Sequence, residues 1–245
     1  MDPKKLSHTL AAASLLIGCG SALASGAACK AESAATVVPV IELYTSEGCS
    51  SCPPADRWLS SLKPAAASGR AVVQAFHVGY WDYIGWVDRF ANAAYTQRQK
   101  QVASWNGTSS IYTPQLIRDG RDSRDYAPLG AAAGETAKAR IVLQKNAGDA
   151  FEASVSPGEG VGAWAAYWTV TENGHASKVK AGENAGEYLQ HDFVVRQYVP
   201  AGEYRGASKL TLRSIAADPQ HERRVNLVVY DPKSGKTLQA IGMGC

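Results

Sequence analysis

This chain of 245 residues is short of the features that announce most functions. Past the N-terminal thirty residues no stretch is long and apolar enough to cross a bilayer. There is no basic stripe: 25 Lys and Arg stand against 22 Asp and Glu, a formal +3, so a phosphate-reading role is not indicated and no nucleic-acid partner is expected. A catalytic serine motif, a paired-carboxylate motif and a phosphate loop are all missing. So are internal repeats and low-complexity linkers. Cysteine is sparse, five in all, and no second Cys-x-x-Cys or clustered histidine pair completes a four-ligand metal site. No cofactor is expected.

What is present begins with a leader. Lys4 and Lys5 precede the apolar run Leu10–Ile17, too short for a span and typical of a signal peptide. Ala22-Leu23-Ala24 is a small-x-small cleavage site, which makes residues 1–24 the signal peptide and leaves a mature net charge of +3 − 1 = +2. Leu16-Ile17-Gly18-Cys19 resembles a lipobox, so a lipid anchor at Cys19 is the alternative. Either route predicts a secreted or periplasmic location, where disulfides persist. Cys29, Cys49, Cys52 and Cys245 then remain, and four cysteines allow three pairings. Cys29 and Cys245 lie near opposite ends of the mature chain, and chain ends are often close in space.

The periodicity changes near residue 140. Before it, strands at "TVVPVIELY" (36–44), "RAVVQAFHV" (70–78) and "PQLIRDGRDS" (114–123) alternate with helices. One helix opens at the cysteine pair with prolines in its first turn; another runs over 88–107 behind an Asp88 cap. "PLGAAAGETAKAR" (128–140) reads as one more helix. After residue 140 short strands of period two dominate, as in a sandwich or barrel. The expected organisation is an α/β domain over 36–139 and a β-rich, antiparallel sandwich-like part over 140–245 packed on it.

The chemistry concentrates at "TSEGCSSCPPAD" (45–56). A strand, a tight loop holding Cys-x-x-Cys and then a helix resembles the arrangement of thioredoxin-like proteins. There the first cysteine sits at a helix N-terminus, where free N–H groups favour thiolate. Cys49 would attack and Cys52, one turn in, would resolve the mixed disulfide. Thr113-Pro114, just before the third strand, fits the cis-proline that such proteins place against the dithiol. Glu42, seven residues before Cys49, could take the proton of the resolving thiol if it faces that way; otherwise it is a strand glutamate paired to a cation. Glu47 is expected to point to solvent. Arg98 belongs to a solvated helix face or pairs with Asp82 or Asp88.

His77 is a core histidine, a proton donor or a metal ligand. "GYWDYIGW" (79–86) supplies Tyr80 and Trp81 either as an apolar wall for a client beside Cys49 or as a loop buried under the C-terminal sheet. Glu183 and Asn184 in "GENAG" (182–186) form a turn or face the dithiol.

Taken together, "ELYTSEGCSSCPPAD", "FHVGYWDYIGW", Arg98-Gln99, "YTPQ" and "GENAG" resemble a family of secreted bacterial proteins, domain-of-unknown-function family 1223, from about Val38 to about Ile241. The resemblance implies a thioredoxin-like N-terminal domain and a β-rich C-terminal part; it supplies no substrate.

The function expected is extracytoplasmic thiol–disulfide exchange. Cys49, Cys52, Pro114 and Glu42 would carry it, with Thr113, Tyr80 and Trp81 beside the substrate. A protein thiol or disulfide client and a redox partner are implied. The alternatives are copper or zinc handling by Cys49, Cys52 and His77, or a secreted binding protein whose Cys49–Cys52 bridge is only a clip.

Overall fold

The computed structural model describes residues 29–129 and 134–245. The expected signal peptide and the Cys19 anchor lie outside the described residues. In chain order the elements are β1 (Lys30–Glu32), β2 (Val40–Thr45), α1 (Cys52–Ser60), α2 (Lys63–Ala67), β3 (Val72–His77), a 3-10 turn (Gly79–Ile84) and α3 (Ala93–Trp105). β4 (Gln115–Arg118), β5 (Arg121–Ser123), β6 (Ala139–Lys145), β7 (Ala150–Pro157), β8 (Ala163–Glu172) and β9 (His175–Lys178) follow. The last are β10 (Tyr188–His191), β11 (Val194–Arg205), β12 (Ser208–Arg213), β13 (Arg223–Tyr230) and β14 (Thr237–Met243).

The expected α/β thioredoxin-like N-terminal domain is not what forms. Among the described residues 42% are in strands and 15% in helices. β2, β3, β4 and β5 are one flank of an eight-stranded sheet ordered β14-β13-β8-β11-β3-β2-β4-β5. β2 and β3 run parallel, and β11 joins β3 in parallel at Val194 and Ala75. The same β11 pairs antiparallel with β8 along its length. One long strand therefore belongs at once to the helical flank and to the β-rich flank. Local periodicity could not reveal this, because an interior strand and a domain-edge strand share the same apolar pattern.

Packing follows the pleat. On one face of the sheet Ile41, Leu43, Val73, Ala75 and Leu116 meet Ala55 and Leu59 of α1 and Ala65 and Ala66 of α2. Further along, β8, β13 and β14 present Trp164, Trp168, Leu227 and Val229 to β6, β7 and β12 of a second sheet, ordered β1-β6-β7-β12. The two sheets stack as a sandwich, as the period-two stretches predict. α3 covers the other face. There Tyr44, Phe76, Tyr95 and Val102 join Tyr167, Val195 and Val228 in one core.

Two local expectations change. The helix expected from Asp88 begins later, with Asn92 as cap accepting from the Ala94 N–H at 2.9 Å, because Asp88 is used elsewhere. No helix forms over the described part of 128–140; Thr36 bridges Thr136 and β6 begins at Ala139.

Cys29 is bonded to Cys245, with Cα atoms 6.3 Å apart. Beneath α3, Glu42 and Arg98 form a buried ion pair at 2.6 Å. Taking two charges out of water costs several kcal/mol per ion, so the pair holds only because its remaining lone pairs are filled. Tyr44 and Tyr167 each donate to Glu42, at 2.7 and 2.8 Å, and the guanidinium lies 4.3 Å from the Tyr167 ring centre. Burial alone would raise the Glu42 carboxyl; Arg98 and the two phenols overcome it and hold the carboxyl below its ordinary range. Replacing Arg98 with Met strands a buried carboxylate. Urea denaturation is expected to show a loss of about 3–5 kcal/mol.

Candidate functional site

β2 delivers the cysteine loop. Its Tyr44 pairs with Gln115 of β4, so Thr113 and Pro114 lie beside the loop that follows β2. The loop turns tightly: the Cys49 N–H donates to the Ser46 carbonyl at 3.2 Å and the Gly48 N–H to the Ser46 hydroxyl at 3.1 Å. Gly48 is required, because a Cβ there would stand 2.9 Å from the Trp81 Cβ. Cys49 and Cys52 are disulfide-bonded, with Cα atoms 5.4 Å apart. Cys52 is the first residue of α1. Its N–H donates to the Cys49 carbonyl, and Pro53 and Pro54 have no N–H to give. The helix start thus offers a Cys49 sulfur fewer donors than usual; the Ser51 hydroxyl, 3.4 Å from it, is the side-chain group at hand.

The bridge is covered. Cys49 is 1% exposed and Cys52 fully buried, while Ser50 and Ser51 face solvent. The cover is the "GENAG" turn, which does face the dithiol. Asn184 donates to the Glu47 and Cys49 carbonyls at 2.8 and 3.0 Å, and Glu183 accepts from the Ser50 N–H at 3.0 Å. Gly182 and Gly186 bound this clasp with positive φ, conformations other residues reach with strain. The aromatic stretch wraps the rim and is not buried under the C-terminal sheet. Trp81 packs on Gly48 and donates to the Thr113 hydroxyl at 2.7 Å, tying the cysteine loop to Thr113–Pro114, whose peptide bond is cis as predicted. Gln99 steadies that loop by donating to the Tyr112 carbonyl at 2.8 Å. Tyr80 is half-buried beside the α3 core, where burial raises its phenol. Tyr83 is 82% exposed.

Behind the bridge lies a set of buried ionisable groups that the sequence did not reveal. Glu47 does not point to solvent. Its carboxylate accepts from Trp86 at 2.7 Å and meets His191 of β10 at 3.2 Å, and its N–H donates to Asp88 at 2.9 Å. Asp88 in turn holds His77 Nδ1 at 2.7 Å. Asp56, four residues after Cys52 on α1, is buried and accepts from the Thr45 hydroxyl at 3.2 Å. His77 is the core histidine that the sequence offered; Asp56 was missed, although four residues on from Cys52 it had to share that helix face. Glu42 takes no part. It alternates with Ile41 and Leu43, which face α1, so it points to α3 and its cation is Arg98, not the bridge.

For metal handling, His77 is committed through Nδ1 to Asp88. Among the described residues no group of three or more His, Cys, Asp or Glu is arranged to hold an ion.

The family described as "Protein of unknown function (DUF1223)" matches residues 40–230. The chain belongs to the DUF1223 family. Protein AGR_C_4864 from Agrobacterium tumefaciens, solved by crystallography, is 26% identical with a TM-score of 0.63, over 85% of this chain and 94% of that one. HBP35 of Porphyromonas gingivalis is 13% identical with a TM-score of 0.57, over 86% of this chain and 76% of that one, a likeness of fold alone. No curated protein matches this DUF1223 chain.

His77 gives a pH test. Burial alone would lower its imidazole, but the charge and hydrogen bond of Asp88, with Asp56 and Glu47 beyond, hold it above the ordinary 6.5. The folded state therefore binds this proton more tightly than the unfolded chain. The stability so contributed is whole below pH 6.5 and fades as pH climbs through the raised value. Urea denaturation between about pH 6 and pH 9 is expected to show a decline that His77→Gln flattens.

Proposed function

We propose that Cys49 and Cys52 are a redox-active pair that exchanges disulfides with protein thiols in an extracytoplasmic compartment. One observation carries the reading: the bridge lies between the exposed Ser50 and Ser51 and a glycine-bounded clasp that holds the cysteine loop by three side-chain hydrogen bonds. Such a cover can lift while the sheet stays intact. The leader at residues 1–24 and the Cys29–Cys245 bridge support the compartment.

In the exchange a client thiolate attacks the Cys49 sulfur. The Cys49–Cys52 bond breaks, a client–Cys49 bond forms, and Cys52 leaves as thiolate and takes a proton. A second client thiolate then attacks the client sulfur, and Cys49 departs reduced. Two client thiols become a disulfide and the protein disulfide becomes two thiols; the reverse course reduces a client. Cys49 is assigned the attack because its neighbours Ser50 and Ser51 are exposed, whereas Cys52 sits under Pro53 within α1. Trp81, Thr113 and Pro114 line the approach.

A second reading, a structural clip in a binding protein, is favoured by the 1% exposure of Cys49. The two separate cleanly. Under the redox reading, Cys52→Ser incubated with client disulfides accumulates a mixed disulfide, the Cys49 thiolate attacking the client bridge and releasing one client thiolate, and Cys49→Ser does not, as seen by mass spectrometry. Equal behaviour of the two variants rules the roles out.

Asn184→Ala removes two clasp bonds of about 1 kcal/mol each, so reduction of the bridge by dithiothreitol should speed up about thirtyfold. An unchanged rate supports the clip.

A further inference from the structure

Five carboxylates are buried among the described residues: Glu42, Glu47, Asp56, Asp88 and Glu172. Four have a basic partner within ion-pair distance, namely Arg98, His191, His77 and His175. Asp56 has none among the described residues; its side-chain bond comes from the Thr45 hydroxyl. A buried carboxylate without a cation is expensive unless it takes up a proton. Asp56 is also the carboxyl placed one helical turn beyond Cys52, where side chains four apart lie about 5–6 Å from each other.

A cavity of about 260 Å³ reaches this point. Pro53, Asp56, Arg57, Tyr188, Leu189 and His191 line it, and it opens past the exposed Tyr188 and Arg57. His191 is a fixture of its wall, with Nε2 on Glu47 and a buried Nδ1 that has no protein partner. Solvent can therefore approach Asp56 by a route that does not pass Cys49. We infer that Asp56, with His191 at the cavity wall, forms a proton inlet to Cys52, through which the resolving sulfur gains or loses its proton while the client occupies the front. The inference rests on the redox reading of the pair.

Thr45 faces Asp56 from β2, His77 from β3, Asp88 from the segment before α3, His191 from β10 and Tyr126 from the segment after β5. Burial pushes the Asp56 carboxyl up; His191, His77 and Thr45 offset only part of it. It therefore holds a proton closer to neutrality than a surface carboxyl does. In the resolving step Cys52–SH passes its proton to the Asp56 carboxylate. The Cys52 thiolate then attacks the Cys49 sulfur and the client leaves as thiolate. In the opposite direction the Asp56 carboxylic acid protonates the departing Cys52 thiolate. Asp56 is the acid–base group of this step, exchanging its proton with the reacting Cys52 sulfur, and His191 is a positioning residue that acts through it.

The test uses the mature chain with only the Cys49–Cys52 pair reduced, mixed in stopped flow with the aryl disulfide 5,5′-dithiobis(2-nitrobenzoate). The first aryl thiolate released reports attack by Cys49, and the second reports resolution by Cys52. Asp56→Asn is expected to leave the first phase unchanged. It should slow the second about tenfold below pH 7, the gap closing as pH passes the ordinary thiol value of about 8.5. His191→Gln is expected to slow the second phase about threefold with the same pH dependence. A second phase at the parent rate in Asp56→Asn, or both phases slowed equally at every pH, overturns the inlet. Should Asp56→Asn fail to fold, an unchanged pH profile in His191→Gln overturns it instead. A parent chain that releases only one aryl thiolate overturns the redox reading itself, which no outcome in the variants alone would do.

Discussion

The cysteine loop is held in place by one buried carboxylate. Glu47 sits between the end of β2 and Cys49, and every part of it is engaged. Its N–H goes to Asp88, its carbonyl accepts from Asn184, and its carboxylate takes Trp86 and His191. Two regions far from it in sequence, Trp86–Asp88 and Asn184–His191, meet on this residue. Burial would raise its carboxyl and the nearby Asp88 charge adds to that; the bond to His191 and that from Trp86 outweigh both and leave it ionised below the ordinary range. A charge so placed fixes the loop by hydrogen bonds with defined directions, which an apolar contact could not do. The disulfide, the clasp and the rim aromatics take their positions from it.

The eight-stranded sheet supplies the rest of the constraint. Because β11 pairs with β3 on one side and β8 on the other, the hairpin of β9 and β10 that precedes it is carried to the back of the cysteine loop. That brings His191 to Glu47 across 144 positions of sequence. The polar seam Glu42–Tyr167–Gln74–Thr169–Asn226 runs through the same sheet from β2 to β13, each member bonded to the next. Apolar burial sets how strongly the layers adhere; this seam sets their register, since a one-residue slip would leave buried donors and acceptors unpaired.

Much of the site was legible because its signals are local. The Cys-x-x-Cys before a proline-led helix, the Thr113–Pro114 step and the glycine-bounded Glu183–Asn184 turn each state their geometry within a few residues. For Glu42 the reading as a strand glutamate paired to a cation holds and the proton-acceptor role does not; Ile41 and Leu43 facing α1 place it on the other side. Glu47 was misread because nothing near it announces a partner arriving from β10. The thioredoxin-like frame failed for a related reason. Strand, loop and helix in order do not say which strands will border them, and here β11 extends the sheet where a separate domain would have ended.

The bridge between Cys29 and Cys245 turns the described chain into a closed ring. In a ring, the site of the free ends is a matter of genetic convenience rather than of architecture. The exposed Asn146–Gly148 turn lies on the outside of that ring, far in sequence from the cysteine loop. A rearranged gene opening there would keep every strand neighbour named above, and would leave a molecule whose remaining exchangeable sulfurs are those beneath the clasp.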